Sequence, residues 1–133
     1  MQNRVQAIEV PLAVAIGGVL GSLARWGIAT GIQIDTFPVA TFITNLTGSF
    51  ALGVVLVAGE RIGNRSPRIA RLWRPFMATG VLGGFTTFST FALELNRIDP
   101  LMAAVYFVAS VGLGLLAYSA GNAVTRKALG VTA

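Results

Sequence analysis

Neither cysteine nor histidine occurs anywhere in the chain. Disulfides, thiolate or imidazole metal sites, cysteine nucleophiles and histidine acid–base chemistry are therefore excluded together. Charge is scarce as well: Asp, Glu, Lys and Arg make up 11% of the 133 residues while 54% are hydrophobic, a balance foreign to soluble globular domains. The acids are Glu9, Asp35, Glu60, Glu94 and Asp99, all at the ends of apolar segments or between them. A proton-coupled exporter or a carrier of cations needs a carboxylate or histidine inside a span, so a small multidrug exporter, the obvious guess for a chain of this size, loses its chemistry. No catalytic constellation remains, and the chain is not expected to be an enzyme.

What the sequence does contain is apolar length. Four segments stand out, at about residues 11–30, 38–59, 75–96 and 100–123, each with the roughly 20 residues that a helix rising about 1.5 Å per residue needs to cross about 30 Å of hydrocarbon. The expected fold is an all-α membrane protein of four transmembrane helices in one domain spanning residues 1–133. Pro11, Pro38, Pro75 and Pro100 are expected to open the segments, because proline fits the first helical turn, where its missing N–H is not needed. Asp99, just before Pro100, is expected to act as an N-cap. Arg4 ahead of the first apolar stretch has the look of a signal peptide, but three more such segments follow, and residues 11–30 are read as a retained helix.

The net charge of +5 does not point to nucleic acid, since the basic residues sit between apolar segments rather than on one solvated face. Their distribution instead sets topology. Arg4, Arg61, Arg65, Arg68, Arg71, Arg74, Arg126 and Lys127 flank one side, and Arg97 alone flanks the other. The positive-inside rule predicts a multi-pass protein of the cell membrane with both termini in the cytoplasm.

Polar side chains within the spans are neutral donors: Thr41, Thr44, Asn45, Thr47 and Ser49 in the second, Thr86, Thr87, Ser89 and Thr90 in the third, Tyr106 and Ser110 in the fourth. Thr41 and Asn45 share a helix face, as do Tyr106 and Ser110. A donor-lined path without fixed negative charge suits an anion. The plainer alternative is that the hydroxyls bond back to carbonyls of their own helices. Asn45 is harder to satisfy that way, and an unpaired amide in hydrocarbon costs several kcal/mol, on the order of 2–7. Arg25, the one basic residue well inside a span, either snorkels to the interface or attracts ions.

Gly17-x-x-x-Gly21, Gly48 with Gly53, Gly80-x-x-x-Gly84 and Gly112-x-Gly114 have the spacing that lets helices approach closely in lipid. The segment Gly80-Val-Leu-Gly-Gly-Phe-Thr-Thr-Phe-Ser-Thr-Phe91 carries the strongest local signal. Two glycines followed by two threonines make a weak helix centre, so the third helix is expected to be interrupted near its middle, or else merely kinked. An interruption frees carbonyls that must be buried or occupied, and a cation is one occupant. Phe88 and Phe91 lie on one face, where their positive ring edges favour a small anion or where they simply pack.

With these blocks in view, the chain resembles the Fluc/CrcB family of fluoride channels. The resemblance covers nearly the whole chain: Gly17-Gly-Val-Leu-Gly-Ser-Leu-Ala-Arg25, Thr41-Phe-Ile-Thr-Asn-Leu-Thr-Gly-Ser-Phe50, Gly83-Gly-Phe-Thr-Thr-Phe-Ser-Thr-Phe91, and Tyr106 with Ser110. It implies an antiparallel dimer with two fluoride pores and passive fluoride export that lowers cytoplasmic fluoride and its toxicity. It also implies a structural sodium ion at the dimer interface, held by backbone carbonyls of Gly83 and Thr86 and not transported. By the same resemblance Asn45, Phe88 and Phe91 line the fluoride path, with Thr41, Tyr106 and Ser110 adding donors. Homodimers of this kind insert both ways and need a weak charge bias. The strong bias here predicts one fixed orientation, and the second subunit is either the same chain or an oppositely oriented paralogue.

Overall fold

The computed structural model describes residues 2–32 and 37–131, with the side chains of residues 2–7, 65, 67 and 68 outside the described set. Asp35 and the side chains of Arg4, Arg65 and Arg68 thus lie outside the described residues. The described chain is helical: α1 (Gln2–Gly31), α2 (Val39–Arg65), α3 (Pro67–Arg74), a π-helical stretch (Pro75–Leu82), α4 (Gly83–Phe85), α5 (Phe88–Leu95) and α6 (Pro100–Leu129). Four stretches are long and apolar enough to cross a membrane: Ile8–Gly31, Val39–Asn64, Ile69–Leu95 and Pro100–Leu129. The third of them combines α3, the π-helical stretch, α4 and α5.

Proline marks these boundaries less often than expected. Pro100 does open α6, and Asp99 Oδ1 accepts from the N–H groups of Leu101 at 2.9 Å and Met102 at 3.4 Å. Pro38 sits one residue outside α2 as its N-cap. Pro11 lies inside α1, and Pro75 follows α3 without a gap. A proline removes one helix donor, so Pro75 leaves the carbonyl four residues back without its α-helical partner. The backbone beyond it takes the wider register, and the Gly83 N–H donates to Ala78, five residues earlier. Gly130, at φ +62°, ends α6 in the left-handed conformation that glycine adopts without strain.

Paired glycines make the close contacts. Gly17 and Gly21 of α1 face Phe76, Gly80, Val81 and Phe85, and a Cβ on Gly21 would fall 2.8 Å from Phe85 N and inside the contact radius of the Val81 carbonyl. Gly53 of α2 packs on Gly121 of α6, where a Cβ would lie 2.6 Å from Asn122 N. These contacts make two layers, α1 on the third span and α2 on α6. One ion pair closes each layer at the same end: Arg71 of α3 with Glu9 of α1, and Arg126 of α6 with Glu60 of α2 at 3.1 Å.

Candidate functional site: a broken helix pinned by Asn45

The third span breaks at Thr86 and Thr87, whose backbones are extended (φ −77°, ψ 161° and φ −147°, ψ 122°). Gly83 and Gly84 themselves remain helical. The break thus falls one turn beyond the glycine pair, because Gly84 serves the approach to Gly18 of α1 while the β-branched threonines favour extended backbone.

Two exchanges of hydrogen bonds define the break. In a continuous helix the N–H of Thr87 would satisfy the Gly83 carbonyl; it donates instead to Asn45 Oδ1 at 2.8 Å. The N–H of Thr90 would satisfy the Thr86 carbonyl; it donates instead to Thr87 Oγ1 at 3.1 Å, so Thr87 caps α5. Asn45 Nδ2 returns a bond to the Thr87 carbonyl at 3.0 Å. The side-chain amide therefore pairs with the Thr87 backbone on both sides, as one strand residue pairs with another. That is how an amide two turns into α2 is satisfied, and it leaves the second amide N–H of Asn45 as a donor. Gly83 and Thr86 are among the residues at the break whose carbonyls lose their helical donors.

Around the break lie three cavities. One of about 320 Å³ is lined by Asn45, Gly48, Gly83, Thr86, Thr87 and Phe88. A second, of about 350 Å³, is lined by Ser22, Arg25, Thr41, Thr44, Thr87 and Thr90 among others. Thr87 borders both. A third cleft of about 300 Å³, between α2 and α6, is lined by Ser110 and Tyr118 and shares Ser49 and Leu52 with the first. The result is a chain of hydroxyl and amide groups running from Arg25 past the break to Ser110. Among the described residues no ion pair or hydrogen bond engages Arg25, which brings a positive charge to the second cavity.

The hydroxyls divide into two groups. Those of Thr44, Thr47, Ser49, Thr86 and Thr125 bond back to carbonyls of their own helical turn, which is the plain structural outcome. Ser110 does not; its Oγ is shielded from solvent and has no partner. Thr41 and Tyr106 also make longer connections, both to one carboxylate: Thr41 Oγ1 donates to Glu94 Oε1 at 2.7 Å and Tyr106 O–H donates to Glu94 Oε2 at 2.9 Å. Glu94 is the site residue that sequence reasoning missed. It stands at the end of α5 and looks interfacial, but its side chain joins α2 and α6 to the broken span.

Phe88 and Phe91 share a face, with centroids 6.0 Å apart and planes at 48°, but their surroundings differ. Phe91 is 5% exposed and meets Tyr106 edge-on at 4.9 Å. Phe88 is 78% exposed and borders the first cavity. Asn45, Phe88 and Ser110 thus share one connected surface, whereas Thr41 and Tyr106 meet at Glu94 and Phe91 packs between Phe88 and Tyr106.

Among the described residues no group of three or more His, Cys, Asp or Glu is placed to hold a metal ion. The family model for CrcB-like proteins, described as Camphor Resistance (CrcB), matches residues 12–122. A protein of Cereibacter sphaeroides named fluoride-specific ion channel FluC is 43% identical over 122 residues, covering 86% of this chain and 93% of its own length. One of the same name from Rhodospirillum centenum is 41% identical over 129 residues, covering 92% and 99%. Bacillus subtilis fluoride-specific ion channel FluC 2 is 38% identical over 127 residues, covering 93% of each. With the model spanning most of the chain and relatives aligned nearly end to end, this protein belongs to the CrcB family.

Proposed function

We propose that the chain is a subunit of a fluoride-selective channel that lets fluoride leave the cytoplasm passively, lowering its concentration and toxicity. The observation that carries this reading is the broken third span, pinned by Asn45 and bordered by Phe88, in a chain whose relatives are named fluoride-specific ion channels. Fluoride is small and strongly hydrated, so a path must replace its water with donors at close range. The Ser110 hydroxyl, the second amide N–H of Asn45 and the positive edges of Phe88 and Phe91 offer this without a full counter-charge. Arg25, in the cavity on the other side of Thr87, supplies positive potential at an approach to the path. Thr41 and Tyr106 become donors to an anion only when Glu94 gives up one of their bonds.

Isoleucine in place of Phe88 or Phe91 keeps apolar bulk and removes the ring quadrupole. Fluoride flux through reconstituted protein should fall at least about tenfold in each variant, since loss of an aromatic contact of about 1.4 kcal/mol is tenfold in rate. Gel filtration should place both variants with the unsubstituted protein. Unchanged flux in both would reduce these rings to packing.

The channel is completed by a second subunit in antiparallel arrangement. The 78% exposure of Phe88 and the unpartnered Ser110 hydroxyl in the α2–α6 cleft leave the path open along its side, and a second copy or a paralogue would close it. Gly83 and Thr86 fit the structural sodium of such an assembly: each carbonyl has lost its helical donor at the break, and both residues line the first cavity. Carbonyl oxygens suit a hard cation, and doubling the pair across a twofold axis supplies four. Exchange of sodium for N-methylglucamine should weaken the dimer and stop conduction while no sodium flux is seen. Full conduction after complete exchange would remove the ion from the account.

Orientation follows from charge. Basic residues of α2, α3 and α6 gather at the end where Glu9 meets Arg71 and Glu60 meets Arg126, and short connections are the setting in which such bias controls insertion. Both termini are expected in the cytoplasm for nearly every copy. A reporter active only in the cytoplasm, fused after Ala133, should give strong signal, and one active only outside should give almost none. Comparable signals would mean dual topology and a homodimer.

A further inference from the structure

The basic end of the bundle carries more positive charge than the protein itself neutralises. Five cations with described side chains meet there: Arg61, Arg71, Arg74, Arg126 and Lys127. Both carboxylates at this end are engaged, Glu9 by Arg71 and Glu60 by Arg126. Arg61 Nη1 donates to the Leu129 carbonyl at the end of α6, which brings no counter-charge. Arg74 and Lys127 are exposed and have no carboxylate partner among the described residues.

The ends of α2 and α6 gather these cations. The Arg74 stem lies against Gly59 of α2, 3.9 Å from where a Cβ would stand. Glu60 is the next residue and holds Arg126, which precedes Lys127; Arg61 comes next on α2 and reaches Leu129. Depth is fixed as well. Arg61, Arg74 and Lys127 lie inside the apolar stretches Val39–Asn64, Ile69–Leu95 and Pro100–Leu129, within five residues of their ends. At about 1.5 Å per residue that is within about 8 Å of the ends of those stretches, where long basic side chains turn toward the headgroups. Trp73 marks the same level: its indole N–H donates to the Val55 carbonyl at 2.9 Å, and its ring covers Gly59.

We propose that Arg61, Arg74 and Lys127 form a binding site for the headgroup of an anionic phospholipid, which supplies the counter-charge missing at this end of the bundle. Charge complementarity identifies the occupant: the cations sit at phosphate depth, at the ends of apolar stretches of three spans. Zwitterionic lipid offers the same phosphate but no net charge, so headgroup selectivity is the signature. The site does not depend on what the protein conducts.

The test uses Trp73 as its reporter. In full-length protein carrying Trp26→Phe, Trp73 is the only tryptophan, since the chain has two. In vesicles mixing phosphatidylglycerol and phosphatidylcholine, brominated on one lipid at a time, quenching should show a relative binding constant for phosphatidylglycerol of at least about fivefold, the equivalent of about one surface charge. Arg74→Gln with Lys127→Gln should bring that ratio close to one, Arg74→Lys should retain it, and Arg97→Gln at the opposite end should leave it unchanged. Excess inorganic phosphate should not reverse it. Equal quenching by both lipids in unsubstituted charge patches would overturn the proposal. So would an undiminished ratio in the double variant, or loss of selectivity with free phosphate, which would assign the patch to a soluble anion. Flux measurements on the same vesicles stand apart from each of these outcomes.

Discussion

Leucine at Asn45 should abolish conduction and lower the thermal stability of the bundle. The substitution is close in volume but removes both bonds to Thr87, leaving its N–H unpaired at the break and its C=O with only the bond that opens α5. Each unpaired group costs about 1–3 kcal/mol, and water to replace the lost partner is scarce at this depth. Either the Thr86–Thr87 break closes into continuous helix, carrying Phe88 away from Asn45 and restoring donors to Gly83 and Thr86, or the span frays. Asp at the same position separates the two roles of the amide. Its carboxylate still accepts from the Thr87 N–H, but it faces the Thr87 carbonyl oxygen with no donor and places negative charge on the anion path. Fluoride flux should be lost in both variants, with the larger fall in melting temperature for leucine. Flux within twofold of the unsubstituted protein in Asn45→Leu would show that the bidentate pairing is dispensable.

A single methyl at Gly21 should be nearly as damaging, while one at Gly18 should not be. The Cβ of Gly21→Ala would collide with backbone of the third span, with Phe85 N at 2.8 Å and Val81 C at 2.9 Å. Backbone atoms cannot rotate aside, so α1 must move away and the packing opens along its length. Overpacking of this kind costs about 1–3 kcal/mol or more. At Gly18 the added Cβ meets nothing within 4 Å, and alanine improves helix propensity by up to about 1 kcal/mol. Thermal unfolding followed by circular dichroism should show a marked drop for Gly21→Ala and no drop for Gly18→Ala. Equal behaviour of the two would mean that α1 does not pack on the third span as described.

Much of the fold was legible because membrane spans announce themselves by length and apolarity, and the Asp99–Pro100 start of α6 was readable from capping chemistry. Hydropathy failed where helices outlast their apolar stretch. Residues 60–65 look like loop because they are charged, yet α2 continues through them, supported by the Glu60–Arg126 pair with a helix 66 residues away in sequence. The π-helical register after Pro75 leaves no mark in composition, since it depends on which carbonyl each N–H finds.

The site was legible in part for the same reasons. Gly83 to Phe91 reads as poor helix, but the glycines stay helical, Gly84 serving contact with α1, and the break falls at the threonines. Asn45 stood out as an amide needing partners, though nothing in the sequence named Thr87 as the partner. Glu94 was passed over because its position along the chain says interface. Only the fold reveals that Thr41 and Tyr106, 53 and 12 residues away, both donate to it.

Fluoride release from liposomes tests the central claim most directly. Detergent-purified chain, free to pair in either orientation, is reconstituted into vesicles loaded with potassium fluoride, and external fluoride is followed by an ion-selective electrode after a potassium ionophore supplies charge compensation. The account predicts rapid fluoride efflux that requires the ionophore but no proton gradient, with potassium chloride vesicles releasing almost no chloride. No fluoride efflux from correctly folded dimers, or chloride efflux at a comparable rate, would contradict it.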